Sequence, residues 1–294
     1  MKKILSNKLH IALFCAPALL LFGGFVLYPL LNLVYMSFRN SDGLSISVFT
    51  GLRNYARLAG DAAFLKANAS SLFLCAFAIV GDAVLGIAVA ILLSTLKGPL
   101  QKAFRIAFLI PMVLSISVIS QLWLAVYHAE WGLLNSFLDF IGLGSLRRSW
   151  LIDERTAMIC IAVVGMWWIF GYIVLLAYSG LKSIPEQYYE AAKIDGAGFL
   201  TTTFKITLPL LSEVSKVCLV FSAVGGLYTF PQVYIMTGGG PGDLTQTVMM
   251  YMYKQVFSNQ RFGLGAAVAM VAIVESAIVI ALINRLMSRR DLQF

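Results

Sequence analysis

Two acidic residues stand where a carboxylate is hard to keep. Asp82, within SLFLCAFAIVGDAVLGIAVAILL, and Glu275, within GAAVAMVAIVESAIVIALI, each lie well inside an apolar run. A charge facing lipid there costs at least about 2.5 kcal/mol on insertion scales, so both must face protein or water. Carboxyls so placed serve either a proton or solute pathway or a hydrogen-bonded structural role, and both readings stay open. The four cysteines, Cys15, Cys75, Cys160 and Cys218, fall in four separate apolar runs with no close pair, which argues against a redox motif, disulfides and a metal centre. His10 and His128 sit at the edges of apolar runs and read as interfacial. No G-x-x-x-x-G-K-[ST] phosphate loop occurs, so the chain has no evident means of binding ATP itself. Asn68 opens an N-A-S triplet, but it abuts an apolar run and carries little weight as a glycosylation signal.

The elements that must position these residues are membrane helices. Only 12% of the 294 residues are charged, 60% are apolar and the mean hydropathy is +0.84. No polar stretch is long enough for a separate globular domain, so residues 1–294 read as a single transmembrane domain of an all-α integral membrane protein. Runs able to cross about 30 Å of hydrocarbon are drawn at roughly 11–38, 69–96, 103–127, 156–181, 214–236 and 263–287, which predicts six transmembrane helices. The first run is far longer than the core of a signal peptide and is taken as an uncleaved span, bent at Pro17 and Pro29. The net charge of +8 comes from Lys and Arg at the ends of these runs, with no basic, aromatic-interleaved patch, which excludes a nucleic-acid partner and leaves membrane lipid. The basic turn LKGPLQKAFR and the tail NRLMSRRD favour an N-in, C-in arrangement.

That arrangement puts the polar island between the fourth and fifth runs, residues 182–211, in the cytoplasm. Ser183 and Glu186 have the spacing of a capping box, with Pro185 tolerated in the first turn, which predicts a helix to about Asp195 and a stop at Gly196. The helix presents Tyr188, Tyr189, Ala191 and Ala192, with the alanine pair allowing close backbone approach and Glu190 offering a negative point for a partner's cation. FLTTTFKITLP begins a second short helix, and Pro209 disfavours helical geometry at Leu208, which separates this element from the fifth run. Such a pair either docks a partner or lies on the lipid as an interfacial helix.

EAAKIDGAGFLTTTFKITLP resembles the signature loop of the permease subunits of ABC importers, in which E-A-A, three residues, G, nine residues and I-x-L-P follow in order. The matching positions are Glu190, Ala191, Ala192, Gly196, Ile206, Leu208 and Pro209. FVLYPLLNLVYMSFRN (25–40), TGLRNYARL (50–58) and TGGGPGDLTQTVMMYMYKQVF (237–257) resemble segments of the carbohydrate-uptake permeases of the maltose and glycerol-3-phosphate type. The resemblance implies a coupling helix that docks on an ATPase subunit through Tyr189, Glu190, Ala191, Ala192, Asp195 and Gly196. It also implies an outer loop in which Gly239, Gly240 and Pro241 meet an extracytoplasmic solute-binding protein. The implied partners are a second homologous permease subunit and two ATP-binding cassette subunits, which hold ATP and Mg, while this chain holds no cofactor or metal. The implied location is the bacterial cytoplasmic (inner) membrane. Two departures concern the solute site: Pro231 in YTFPQVY stands where many relatives carry an acidic residue, and Glu275 stands where an apolar one is usual.

A sugar path needs aromatic faces for C–H surfaces and neutral donors or acceptors for hydroxyls. Trp168 and Tyr172 in MWWIFGY, and Tyr228 and Gln232 in GGLYTFPQ, are the residues that offer them. Gly225 and Gly226 read instead as a close helix contact. The rivals are a stand-alone secondary transporter using Asp82 or Glu275, disfavoured because no inverted repeat relates the two halves, and a non-transporting membrane scaffold.

Overall fold

The computed structural model describes residues 8–43 and 47–287 of the chain. The basic ends used to orient the chain fall partly outside this range, as do the side chains of residues 8–10, His10 among them. Among the described residues, five helices are long and apolar enough to cross a membrane, or six if one sharply bent pair forms a single span. The chain divides into two compact units, Met1–Asp61 with Met252–Ile273, and Ala62–Tyr251 with Val274–Phe294.

In the first unit the Lys8–Phe22 helix passes through a widened π turn, Gly23–Leu27, into the Tyr28–Ser37 helix. Pro29 explains the place of that turn, because its ring would clash with the carbonyl four residues back and it has no amide to donate. The exposed Leu13, Phe14, Leu20 and Phe25 mark a surface built for lipid or a partner. The short antiparallel strands Arg39–Asn40 and Val48–Phe49 follow. The Arg53–Gly60 helix buries Asn54 and Leu58, one turn apart, and exposes Arg53 and Arg57. Asn54 Nδ2 donates to the carbonyls of Ser37 and Arg39 at 2.8 and 2.9 Å, tying down the carbonyls where the first long helix ends.

The second unit is a helical bundle around the Ala157–Ser183 helix. The Leu85–Thr95 helix lays Ile87, Ala90 and Ile91 against Ile173, Val174, Ala177 and Tyr178. Gly86 makes this approach possible, since a Cβ there would meet Ile173 Cγ2 at 2.9 Å. The Ala62–Ala78 helix begins seven residues before the second expected span, and it reaches Leu85–Thr95 through a π turn, Ile79–Val84, that contains Asp82.

Several expectations need correction. The third span is not one helix but two, Gly98–Val113 and Ile116–Val126, at 97° to each other. Leu114 and Ser115 are extended there, and the Ser115 hydroxyl caps the second helix by accepting from the Val118 amide at 3.3 Å. The fifth span is interrupted: the Ser212–Leu227 helix ends, residues 228–230 leave helical geometry, and the Pro231–Met236 helix resumes. The capping box does not form, because the Ala157–Ser183 helix carries on to Ser183, whose hydroxyl donates to the Gly180 carbonyl instead. Pro209 does not break the chain: Leu208 is helical, behind a π turn over Thr203–Thr207 that relieves the proline clash, and the backbone leaves helical geometry at Leu211. Residues 245–251, expected in an outer loop, are buried, and they include the first four residues of the Val248–Tyr253 helix.

Candidate functional site

The second unit encloses a cavity of about 460 Å³ between the Ala62–Ala78 helix and its π turn, the Ala157–Ser183 helix and the interrupted fifth span. Trp168, Tyr228 and Gln232, three of the four residues expected on a solute path, line it. Tyr172 does not; it packs on Phe221 with ring centroids 5.1 Å apart and joins the hydrophobic core instead. Asp82 also lines the cavity, and Glu275 does not. The rest of the wall is mostly apolar, with Phe77, Ile161, Met166 and Val220 prominent, and none of the lining residues is basic.

Local breaks in the helices bring these residues together. Trp168 Nε1 donates at 3.1 Å to the Leu114 carbonyl, one of those freed where the third span bends. Tyr228 sits at the first non-helical position of the fifth span, and its hydroxyl pairs with Ser276 Oγ at 3.2 Å. The Thr229 carbonyl, left open by the same break, accepts from Thr247 Oγ1 at 2.9 Å. The buried Thr247 thus comes from the segment that was expected outside. Gly225 and Gly226 divide their roles. A Cβ at Gly226 would lie 2.6 Å from the Cys75 Cα, whereas one at Gly225 would meet nothing within 4 Å, although both line the cavity. Among the described residues Asp82 Oδ1, Ser222 Oγ and Gln232 Oε1 are buried without a hydrogen-bond partner. Ser222 was not singled out in the sequence, where one serine in an apolar run carries no signal.

Glu275 is outside the cavity lining and accepts a hydrogen bond from Asn68 Nδ2. The structural reading of this carboxyl is therefore the one the geometry favours. Asn68 itself lies within a helix with its side chain engaged, which is unsuited to a glycan. His128 stacks on Trp131 with centroids 4.0 Å apart, just beyond the end of the Ile116–Val126 helix.

The loop after the fourth span is built as a rigid bracket. The Gln187–Ile194 helix ends with Gly196 at φ +74°, the Gly196 amide on the Lys193 carbonyl at 3.1 Å and the Ala197 amide on the Ala192 carbonyl at 2.9 Å. That pairing is a Schellman cap, and the left-handed residue it needs is the reason a glycine stands there. Glu190, Ala191, Asp195 and Gly196 are exposed, and Tyr188 and Tyr189 are half-buried. Ala192 is buried, so the two alanines do not form a joint outer face; neighbours in a helix point about 100° apart. Sequence reasoning missed Ile194, which is 86% exposed, and the exposed Phe199 and Leu200 beside it. Exposed apolar side chains of this kind suit a partner or lipid.

At the opposite end of the fifth span, Gly238, Gly239, Gly242 and Asp243 all take positive φ in a tight turn. Thr245 Oγ1 closes it by donating to the Gly240 carbonyl at 2.9 Å. Pro241 is exposed and Gly240 partly so, whereas Gly239 is buried and offers no surface.

Comparison with known proteins gives one answer. Residues 82–291 match the family described as "Binding-protein-dependent transport system inner membrane component". The chain is 37% identical to the "Probable ABC transporter permease protein YurN" of Bacillus subtilis over 92% of both chains. It is 32% identical to the sulfoquinovosyl glycerol transport system permease protein SmoG of Agrobacterium fabrum, covering 98% of this chain and 93% of that one. It is also 32% identical to the multiple sugar-binding transport system permease protein MsmF of Streptococcus mutans, over 87% of both. A chain of the crystal structure of a bacterial ABC transporter that imports the acidic polysaccharide alginate shares the fold, with a TM-score of 0.82 at 21% identity and 97% coverage of each chain. With its interrupted spans, glycine-capped bracket and these relatives, the chain belongs to the inner-membrane permease components of binding-protein-dependent ABC transport systems.

Proposed function

We propose that this chain forms half of the translocation pathway of an ATP-driven, binding-protein-dependent importer for a sugar, an oligosaccharide or a related polyol derivative. It sits in the bacterial inner membrane with six spans and both ends inside, and it pairs with a second, similar permease. Two cassette ATPases, which bind ATP and Mg, seat the Gln187–Ile194 helix through Tyr189, Glu190, Ala191, Asp195 and Gly196, with Ile194 as an added anchor. Solute arrives from an extracytoplasmic binding protein at the loop that exposes Pro241, and it passes Trp168, Tyr228 and Gln232. Closure of the ATPases moves the bracket, and the spans alternate between outward and inward access.

The observation that carries this reading is the bracket itself: a capped, exposed helix joined to long apolar helices on both sides, in a chain with no phosphate loop of its own. The sugar class is supported by relatives named for sugar transport and by an aromatic-walled cavity with no basic residue. Membership of the permease family leaves no support for a stand-alone carrier driven through Asp82 or Glu275. Glu190→Lys tests the docking. ATP-dependent uptake in cells is expected to be lost while immunoblots of membranes show normal insertion, and uptake at the wild-type rate in that variant rejects the role.

A further inference from the structure

The cavity carries an unusual set of polar atoms. Asp82 is 3% exposed, Ser222 3% and Gln232 7%, and each presents an oxygen without a hydrogen-bond partner among the described residues. Buried polar atoms are almost always paired, and an unpaired one costs about 1–3 kcal/mol. Three such atoms lining one cavity are tolerable when its occupant, water or solute, supplies the missing partners. What they ask of that occupant is one-sided. Asp82 when ionised and the Gln232 amide oxygen only accept, and a hydroxyl does either. No lysine, arginine or histidine among the lining residues balances the carboxylate. Asp82 also sits in the Ile79–Val84 π turn, a helix distortion that is frequent at functional sites and that here has no proline to account for it.

We infer that Asp82, with Gln232 and Ser222, forms an acceptor subsite that selects hydrogen-bond-donating neutral or cationic solutes and disfavours anionic ones. Asp82 is then a specificity-determining residue, and neither its role nor that of Ser222 followed from the aromatic path alone. A polyol hydroxyl or an amino group satisfies the unpaired oxygens, whereas a carboxylate, sulfonate or phosphate would face Asp82 with no compensating cation. This inference rests on the proposal that the cavity is the solute path.

Cysteine-scanning with methanethiosulfonates of different charge tests it without knowledge of the natural solute. In the assembled transporter in native membranes, with Cys15, Cys75, Cys160 and Cys218 replaced by alanine or serine, Thr229→Cys places a thiol on the cavity wall and Pro241→Cys places one on the outer surface. Three methanethiosulfonates are compared: neutral methyl, cationic ethylammonium and anionic ethylsulfonate. At Thr229→Cys the cationic reagent is expected to outpace the anionic one by at least about tenfold over the ratio seen at Pro241→Cys. Adding Asp82→Asn should bring the ratio back to that of the surface control. A ratio that equals the control with Asp82 present, or that survives Asp82→Asn, overturns the acceptor subsite while leaving the path intact. Failure of the neutral reagent to reach Thr229→Cys while it labels Pro241→Cys overturns the path reading, and the subsite with it.

Discussion

Gly225 and Gly226 are neighbours in one helix and should answer the same added methyl group with opposite signs. A Cβ at Gly226 would lie 2.6 Å from the Cys75 Cα, 2.7 Å from the Leu74 carbonyl oxygen and 2.8 Å from the Cys75 nitrogen. All three are backbone atoms of the facing Ala62–Ala78 helix, so no change of rotamer relieves the clash and the helices must separate. Overpacking of this kind costs about 1–3 kcal/mol, and contact with backbone puts Gly226→Ala at the upper end. At Gly225 nothing lies within 4 Å, and replacing a glycine inside a helix by alanine gains about 0.5–1 kcal/mol. The two variants should therefore differ by about 2–4 kcal/mol. Thermal unfolding of the purified complex, followed with a thiol-reactive fluorophore, reads the difference, because Cys75, Cys160 and Cys218 are buried. The exposed Cys15 is replaced by serine in every sample. Tm should fall for Gly226→Ala and hold or rise for Gly225→Ala. An unchanged Tm for Gly226→Ala, or parallel shifts in the two variants, would refute the close-contact reasoning. Loss of transport alone does not, since both residues line the cavity and either methyl group narrows it.

Three further substitutions probe the Asn68–Glu275 pair and the bracket. Asn68→Ala removes the donor to Glu275 within an apolar helix and should cost about 1–3 kcal/mol in the same unfolding assay, whereas Asn68→Ala with Glu275→Leu should recover most of the loss. An additive double variant would show that the two side chains do not interact. Gly196→Ala meets no atom within 4 Å and changes only the cost of the left-handed turn, about 1–2 kcal/mol. Faster hydrogen exchange confined to residues 187–197, with lower uptake per ATP hydrolysed and near-normal global Tm, is expected; unchanged exchange would mean that the cap does not hold the bracket.

How much of this was legible in the sequence depended on range. The apolar helices were readable because 20 or so residues of one character need no tertiary context. The Gly196 stop was readable because one backbone conformation demands that residue. The failures turned on where helices break or continue and on which neighbour a side chain meets. Ser183 and Glu186 have the right spacing for a cap, yet the preceding helix simply continued through Ser183. Pro111 and Ser115 lie within hydropathic sequence, so the 97° bend left no mark on an averaged profile. At the cavity, Trp168 and Tyr228 stood out as aromatic residues with polar tips, while Tyr172, of the same type and one turn away, went to the core because Phe221 was there to receive it.

The interrupted fifth span and the buried segment 245–251 are one feature, and that is why neither could be read alone. A helix that stops at Leu227 and restarts at Pro231 leaves carbonyls that lipid cannot satisfy. The Thr229 carbonyl finds its donor in Thr247, 18 residues further on, and Val248 in turn donates its amide to Ser71 Oγ at 3.0 Å. Threonine and glutamine in TQTVMMY look like loop residues by composition, but here Thr245, Gln246 and Thr247 are all nearly inaccessible. The glycine-rich turn at 238–242 is what folds that segment back onto the break, and it is also the loop proposed to meet the binding protein. A contact at Pro241 is therefore connected through about six residues of well-paired backbone to the non-helical stretch that carries Tyr228, so the surface of this loop and the cavity wall share a short mechanical path.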